Sequence, residues 1–344
     1  MIGTSFDRTG GTVASDDAIQ ISFDRYLLPS TVLRQGYGIA DNTNQLLPVE
    51  GFQTIYDPVA RTVSIAGPQG IGTPWLKEGL EYKLVLFVPP NDATDQGGFR
   101  AIDRSPLDQT YTFVFRAAAP KGGPVRTVDP PVNFCADVLP IFAQKCSDPT
   151  CHGAPPNPTG GTQPAASLIL SSSSGVRVTA IGRVAQGSNT GGRSFDPAPA
   201  SPIFGVDMAL VEKGNPGLSW LMYKIEMAPL PVVDAASPTS STYLCTPPAG
   251  SDAVLTPGDP YTSRAPVAQA SDAERERLAD YILGRFMPYP SGTVLPETQP
   301  LTFEERERVR RWIAQGAPAP ECGGCGGVTA PASAPDAGAT DAGP

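Results

Sequence analysis

Two thiols and one imidazole fall within a single heptapeptide, Cys146-Ser-Asp-Pro-Thr-Cys151-His152, and that imidazole is the sole histidine in 344 residues. A pair of cysteine sulfurs can add to the two vinyl groups of a haem, and a histidine directly after the second cysteine can ligate the iron as proximal ligand. The usual attachment site has two residues between the cysteines; here there are four, one of them Pro149. The spacing therefore predicts a variant site for one haem c. A rival chemistry is a zinc site using Cys135, Cys146, Cys151 and His152, which supplies four ligands of suitable type. Cys135 lies eleven residues upstream of Cys146, outside the short pairings of zinc ribbons.

The haem reading makes demands on the rest of the chain. Iron needs a ligand on its other face, and with no second histidine that ligand must be of another type. Met287, followed by Pro288 in a loop just before the last helical segment, is the candidate distal ligand. Met227, in Glu226-Met-Ala-Pro229, is the alternative, whereas Met222 sits on an apolar helical stripe and reads as core filler. Histidine–methionine ligation raises the reduction potential relative to two histidines.

Several elements must hold these groups in place. Phe134, Val138 and Ile141 recur at i, i+4 and i+7, which predicts a helix leading into Cys146, with Pro140 in its first turn or at a kink. A Gly/Ser/Pro-rich stretch runs from Gly153 to about Gly214. Leu218, Leu221, Met222 and Ile225 predict a second helix. Ser271-Asp-Ala-Glu274 and Thr302-Phe-Glu-Glu305 read as capping boxes of two more, burying Leu278 and Ile282 in one and Val309, Trp312 and Ile313 in the other. On the last helix Glu304 with Arg308 and Glu307 with Arg311 read as pairs on a solvated face. Trp220, Trp312 and Phe142 are candidate pocket walls, and equally good core residues. Outside the attachment site, Cys135, Cys245, Cys322 and Cys325 can form disulfides in three ways. Cys135 with Cys245 would tie the long insertion to the first helix, and Cys322 with Cys325 would close a small ring, for which a redox-active Cys-x-x-Cys is the alternative.

The first third of the chain has a different rhythm. Ile19-Gln-Ile21-Ser-Phe23, Thr62-Val63-Ser-Ile65, Tyr82-Lys-Leu84-Val-Leu86 and Tyr111-Thr-Phe113-Val-Phe115 alternate with period two, and turn residues separate them. Residues 1–118 thus predict an all-β sandwich. A Pro/Gly-rich linker follows over 119–132, then a mainly α domain with long loop insertions over 133–320. Residues 321–344 hold Cys322-Gly-Gly-Cys325 and an Ala/Pro/Gly tail with little apolar bulk, read as disordered.

Both halves resemble known families. Ile19-Gln-Ile-Ser-Phe-Asp24, Leu28-Pro-Ser-Thr-Val32, Leu80-Glu-Tyr-Lys-Leu-Val85 and Tyr111-Thr-Phe-Val-Phe115 resemble bacterial Ig-like domains of S-layer and other surface proteins. That resemblance implies a spacer or adhesive module. Residues 133–318 resemble a class I cytochrome c domain, through Val138-Leu-Pro-Ile-Phe142, Cys146 with Cys151-His152, Ser219-Trp-Leu-Met-Tyr-Lys224, Met287-Pro288 and Arg311-Trp-Ile-Ala-Gln-Gly-Ala-Pro318. This second resemblance implies one-electron transfer through haem with His152 proximal and Met287 distal. The four-residue gap and the long span from His152 to Met287 depart from the compact form.

Composition bounds the partners. Lys and Arg number 25 against 34 Asp and Glu, a formal charge of −9, so no basic patch points to nucleic acid. No apolar run reaches the roughly 20 residues of a membrane-spanning helix. Haem attachment to cysteine belongs outside the bacterial cytoplasm, so the expectation is an exported protein, periplasmic or at the cell surface, with a signal or lipoprotein leader upstream of the given start and a capacity for cell-envelope attachment. Its partner would be a redox protein that the sequence does not identify. No general base or nucleophile stands out, so we read an electron carrier; catalysis would require an open sixth iron position. The competing class is a surface adhesion or scaffolding protein whose second domain is stabilised by disulfides or zinc.

Overall fold

The computed structural model describes residues 3–4, 9–90, 97–122, 129, 131–148, 151–153, 164–185, 208–231, 243–245, 270–282, 284–288, 300–323 and 325–327. Eight strands come first: β1 (Gly3–Thr4), β2 (Thr9–Ala14), β3 (Ile19–Ser22), β4 (Tyr37–Asp41), β5 (Gln53–Asp57), β6 (Thr62–Ala66), β7 (Glu81–Leu86) and β8 (Tyr111–Ala118). After them come α1 (Leu139–Lys145), α2 (Ser173–Thr179), α3 (Trp220–Glu226), β9 (Tyr243–Cys245), α4 (Asp272–Tyr281), α5 (Phe303–Ala314) and β10 (Cys325–Gly327).

The strands form two four-stranded sheets, ordered β1-β3-β6-β5 and β2-β8-β7-β4, and a separate β9-β10 pair. Pairing is antiparallel except between β2 and β8, which run parallel. Alternation is kept in β7, where Tyr82, Leu84 and Leu86 are buried while Glu81 is exposed. In β6 all five residues are buried, because both faces are covered. Ser64, on the face away from Val63 and Ile65, lies at hydrogen-bond distance from the Gln20 amide.

Helices supply part of that cover, and the cores are shared. Tyr26, Leu28 and Ile102 pack in one apolar cluster with Trp220, Tyr223, Met227, Leu278 and Ile282. Val59, just after β5, belongs to the cluster of α1, α3 and α5. Polar contacts cross in the same places: the Tyr26 hydroxyl donates to Glu226 at 3.0 Å, and the Arg25 Nε lies 2.9 Å from Glu274. The described chain is therefore mixed α/β. This corrects the expectation of an Ig-like sandwich followed by a mainly α cytochrome c-like domain. The strands make two small sheets that share packing with the helices, and the later half carries strands of its own. Period-two patterning reports one buried face of a strand and is silent on what covers the other.

Local sequence explains where the helices begin. Asn133 accepts from the Ala136 N–H at 3.1 Å and opens a five-residue π turn, Phe134–Val138, that runs into α1 with Pro140 in the first turn. Thr302 and Glu305 form the complete capping box of α5. At α4 only half of the expected box exists. Ser271 accepts from the Glu274 N–H, but the Glu274 carboxylate accepts from the Tyr26 N–H at 3.0 Å and from Arg25 instead. Helix α2 lies inside the stretch expected to be loop. Its Ser172 cap and fully buried Val176 fix seven residues of weak helix propensity. Residues 328–344, read as a disordered tail, lie outside the described residues, whereas 325–327 form β10.

One charged cluster overturns the solvated-face reading of α5. Glu304 does pair with Arg308 near the surface. Glu307, Arg310 and Arg311, however, are buried. The Arg310 guanidinium reaches Asp129 with two hydrogen bonds of 2.8 and 2.6 Å, Asp57 at 3.0 Å and Glu307 at 2.9 Å. It thereby ties the end of β5, the segment before α1 and α5 to one another. Burial and the neighbouring carboxylates of Glu307 and Asp129 push Asp57 well above the usual carboxylate range, against the pull of Arg310.

Candidate functional site

Cys146 caps α1, and its N–H donates to the Phe142 carbonyl at 2.9 Å. The chain then doubles back. The Asp148 carbonyl accepts from the N–H groups of Cys151 at 2.8 Å and Gly153 at 3.1 Å, and the His152 N–H donates to the Cys146 carbonyl at 3.1 Å. These backbone hydrogen bonds hold Cys146, Cys151 and His152 in one loop despite the spacing of the cysteines. From the other side, Ala165 N–H donates to Cys151 O at 2.6 Å and Leu170 N–H to His152 O at 2.8 Å. Neither Cys146 nor Cys151 takes part in a disulfide.

Gly153 lets the turn close. A Cβ there would lie 2.5 Å from the Ser147 carbonyl oxygen and 3.1 Å from that of Asp148. Gly153→Ala is expected to shift the backbone and to cost about 1–3 kcal/mol, the usual range for forced overpacking. A urea midpoint equal to wild type would show that the loop does not close in this way.

His152 is 8 % exposed, and its Nδ1 lies 3.2 Å from the Ala165 carbonyl oxygen. A carbonyl only accepts, so this hydrogen bond requires the proton on Nδ1. Burial lowers the His152 pKa, the charge of Lys224 lowers it further, and the backbone oxygens of Ala165 and Leu168 oppose both. The ring is thus held neutral, the form that binds metal. Burial pushes the Cys146 thiol up to about 12, so it keeps its hydrogen.

A scan against protein-family models and a search of curated proteins each returned no match. The reading of the site therefore rests on its own donor atoms. One loop carries the buried Cys146 thiol, the Cys151 thiol and a neutral imidazole oriented through Nδ1, and donors of these types suit a covalently held haem.

The other expected site residues divide. Met287 is half-buried, and its N–H donates to the Lys224 carbonyl at 2.9 Å. A Cβ at Gly284 would stand 3.4 Å from Lys224 Nζ, so the 284–288 segment rests against the lysine whose charge reaches His152. Met227 is buried with Tyr26, Leu28 and Trp220, in a different cluster from Cys146. Met222 is fully buried in the Cys146 cluster, as core. Phe142 and Trp312, with ring centroids 5.8 Å apart, belong to that cluster also; Trp220 does not.

Cys135 is bonded to Cys322, with Cα atoms 5.6 Å apart. Of the three pairings the sequence leaves open, this excludes the one that joins Cys135 to Cys245 and Cys322 to Cys325. It also removes Cys135 from the zinc alternative, and among the described residues no group of three His, Cys, Asp or Glu is arranged to hold a metal ion. Loop length does not say which chain ends meet, and here the segment of Cys322 returns to the turn that precedes α1.

Sequence reasoning overlooked Lys224, Gly153 and the backbone of Ala165. Lys224 left a signal as a cation among Trp220, Leu221, Met222, Tyr223 and Ile225, all of them buried. Half-buried itself, it is brought down to about 8 by desolvation. Ala165 acts through its carbonyl and left none.

Proposed function

We propose that this chain is an exported one-electron carrier with a single haem c, attached through Cys146 and Cys151 and ligated by His152, with Met287 as the distal ligand. The observation that carries this reading is the backbone-closed loop that holds Cys146, Cys151 and a neutral histidine anchored through Nδ1, with neither cysteine in a disulfide. Haem, when bound, supplies the redox couple. The protein holds the imidazole in one tautomer, offers two thiols whose S–H bonds add across the vinyl groups, and presents Phe142 and Trp312 as apolar shielding. Met287 is preferred to Met227 because it lies in the Met-Pro loop before α5, whereas Met227 is buried in a cluster separate from that of Cys146. The motif resemblance of residues 133–318 to class I cytochromes c supports the same assignment, and the strand motifs resembling surface Ig-like modules are compatible with cell-envelope attachment.

The Cys135–Cys322 bond supports a periplasmic or cell-surface location, since such bonds persist in oxidising compartments. Among the described residues no helix is long and apolar enough to cross a membrane. The partner we propose is another redox protein, and the acidic balance of the chain argues against nucleic acid.

The test is production with export and a haem-maturation system. A mass increase of one haem with sharp reduced absorption bands is expected. A colourless protein of peptide mass would overturn the proposal in favour of the second reading, a surface scaffold stabilised by disulfides, which the Cys135–Cys322 bond equally supports.

A further inference from the structure

Strands β9 and β10 pair antiparallel, and their register sets Cys325 directly opposite Cys245. Residues opposite each other in an antiparallel pair have Cα atoms roughly 4.5 or 5.5 Å apart, depending on the ladder position. Either separation lies inside the span of about 4.4–6.8 Å that a disulfide bridges. The other four cysteines are accounted for: Cys135 is bonded to Cys322, while Cys146 and Cys151 take part in no disulfide. From the register and this assignment we infer that Cys245 and Cys325 form a second disulfide.

The bond forms by exchange with a disulfide oxidant of the exporting compartment, of the thiol–disulfide oxidoreductase class. Two protein thiols lose two hydrogens and two electrons, the new S–S bond forms, and the oxidant's disulfide becomes a dithiol. Cys322-Gly-Gly-Cys325 is then a double anchor, each sulfur held by a different partner, and it does not cycle as a redox-active pair. β9 packs beside α1 and the π turn before it. Both bonds consequently fasten the C-terminal segment to the helix that ends at Cys146.

Peptide mapping of the full exported chain tests this. Trypsin without reduction, after alkylation of free thiols, should give one cluster of Thr127–Lys145, Ile225–Arg264 and Trp312–Pro344, since the last peptide contains both Cys322 and Cys325. In Cys322→Ser, Trp312–Pro344 should remain joined to Ile225–Arg264 while Cys135 becomes alkylated. Alkylated Cys245 in the wild type overturns the inference. So does a Cys322–Cys325 link, or a Cys322→Ser protein in which Cys135 is joined to Cys325. None of these outcomes depends on haem, so the result stands apart from the electron-carrier reading.

Discussion

His152→Ala in the exported, haem-matured protein is expected to abolish the low-spin absorption bands entirely. The chain contains no other histidine to take the proximal place. The ring is held by the backbone on both sides of it and by its Nδ1 contact with Ala165, so no neighbouring side chain is preset to replace it. Cys146 and Cys151 remain, and covalent haem should therefore survive in part. Loss of the low-spin spectrum with haem mass still present is the signature of a missing ligand, and added imidazole should restore it. Met287→Ala should differ, keeping haem mass and the proximal bond while losing the field of the sixth ligand. A wild-type spectrum in His152→Ala would sink the proximal assignment. A wild-type spectrum in Met287→Ala, with a changed one in Met227→Ala, would move the distal ligand.

Much of the local structure was legible because it depends on near neighbours. The alternation of Tyr82, Leu84 and Leu86, the Thr302–Glu305 box and the buried stripe of Val309, Trp312 and Ile313 are each set within a few residues. That Cys146, Cys151 and His152 share one loop follows from their nearness in sequence, although the turn that closes it was not legible. Its hydrogen bonds are backbone to backbone, and only Gly153 marks them.

What was not legible depends on distant partners. Glu274 looks like a capping residue until Arg25 and the Tyr26 N–H, some 250 positions away in sequence, claim its carboxylate. Glu307 and Arg311 look solvated until Asp57 and Asp129 arrive to bury that side of α5 with Arg310. The fold class failed in the same way. Strands and helices were each read by period, but shared clusters such as Tyr26 with Trp220 and Leu278 decide the arrangement, and no periodicity encodes them.

The buried cluster yields the largest expected loss of stability. Arg310 is 3 % exposed and is the cation that Asp57, Asp129 and Glu307 share most closely. Removing one partner of a buried ion pair typically costs about 3–5 kcal/mol, because the remaining charge stays buried without compensation. Arg310→Met should reach that range near neutral pH, whereas Arg308→Ala, at the surface pair with Glu304, should change stability by no more than about 1 kcal/mol.

The pH dependence gives the sharper test. Asp57 is already held above its unfolded pKa by burial. A carboxylate raised in this way contributes stability that is fully present below the unfolded value and is lost as pH rises through the folded one. Without Arg310 the pull that opposes the upward shift of Asp57 is gone, so the variant takes up more protons on folding than the wild type does. Its deficit should be greatest near neutrality and should shrink by about 1 kcal/mol or more at roughly pH 5, measured as the difference between urea unfolding curves at each pH. Glu307→Gln in the Arg310→Met background removes one of the stranded charges and should recover part of the loss at neutral pH only. A deficit that does not change with pH would mean that water, and not Arg310, neutralises these groups, and the joint between β5 and α5 would then have to be attributed to apolar packing around Val59 and Val309.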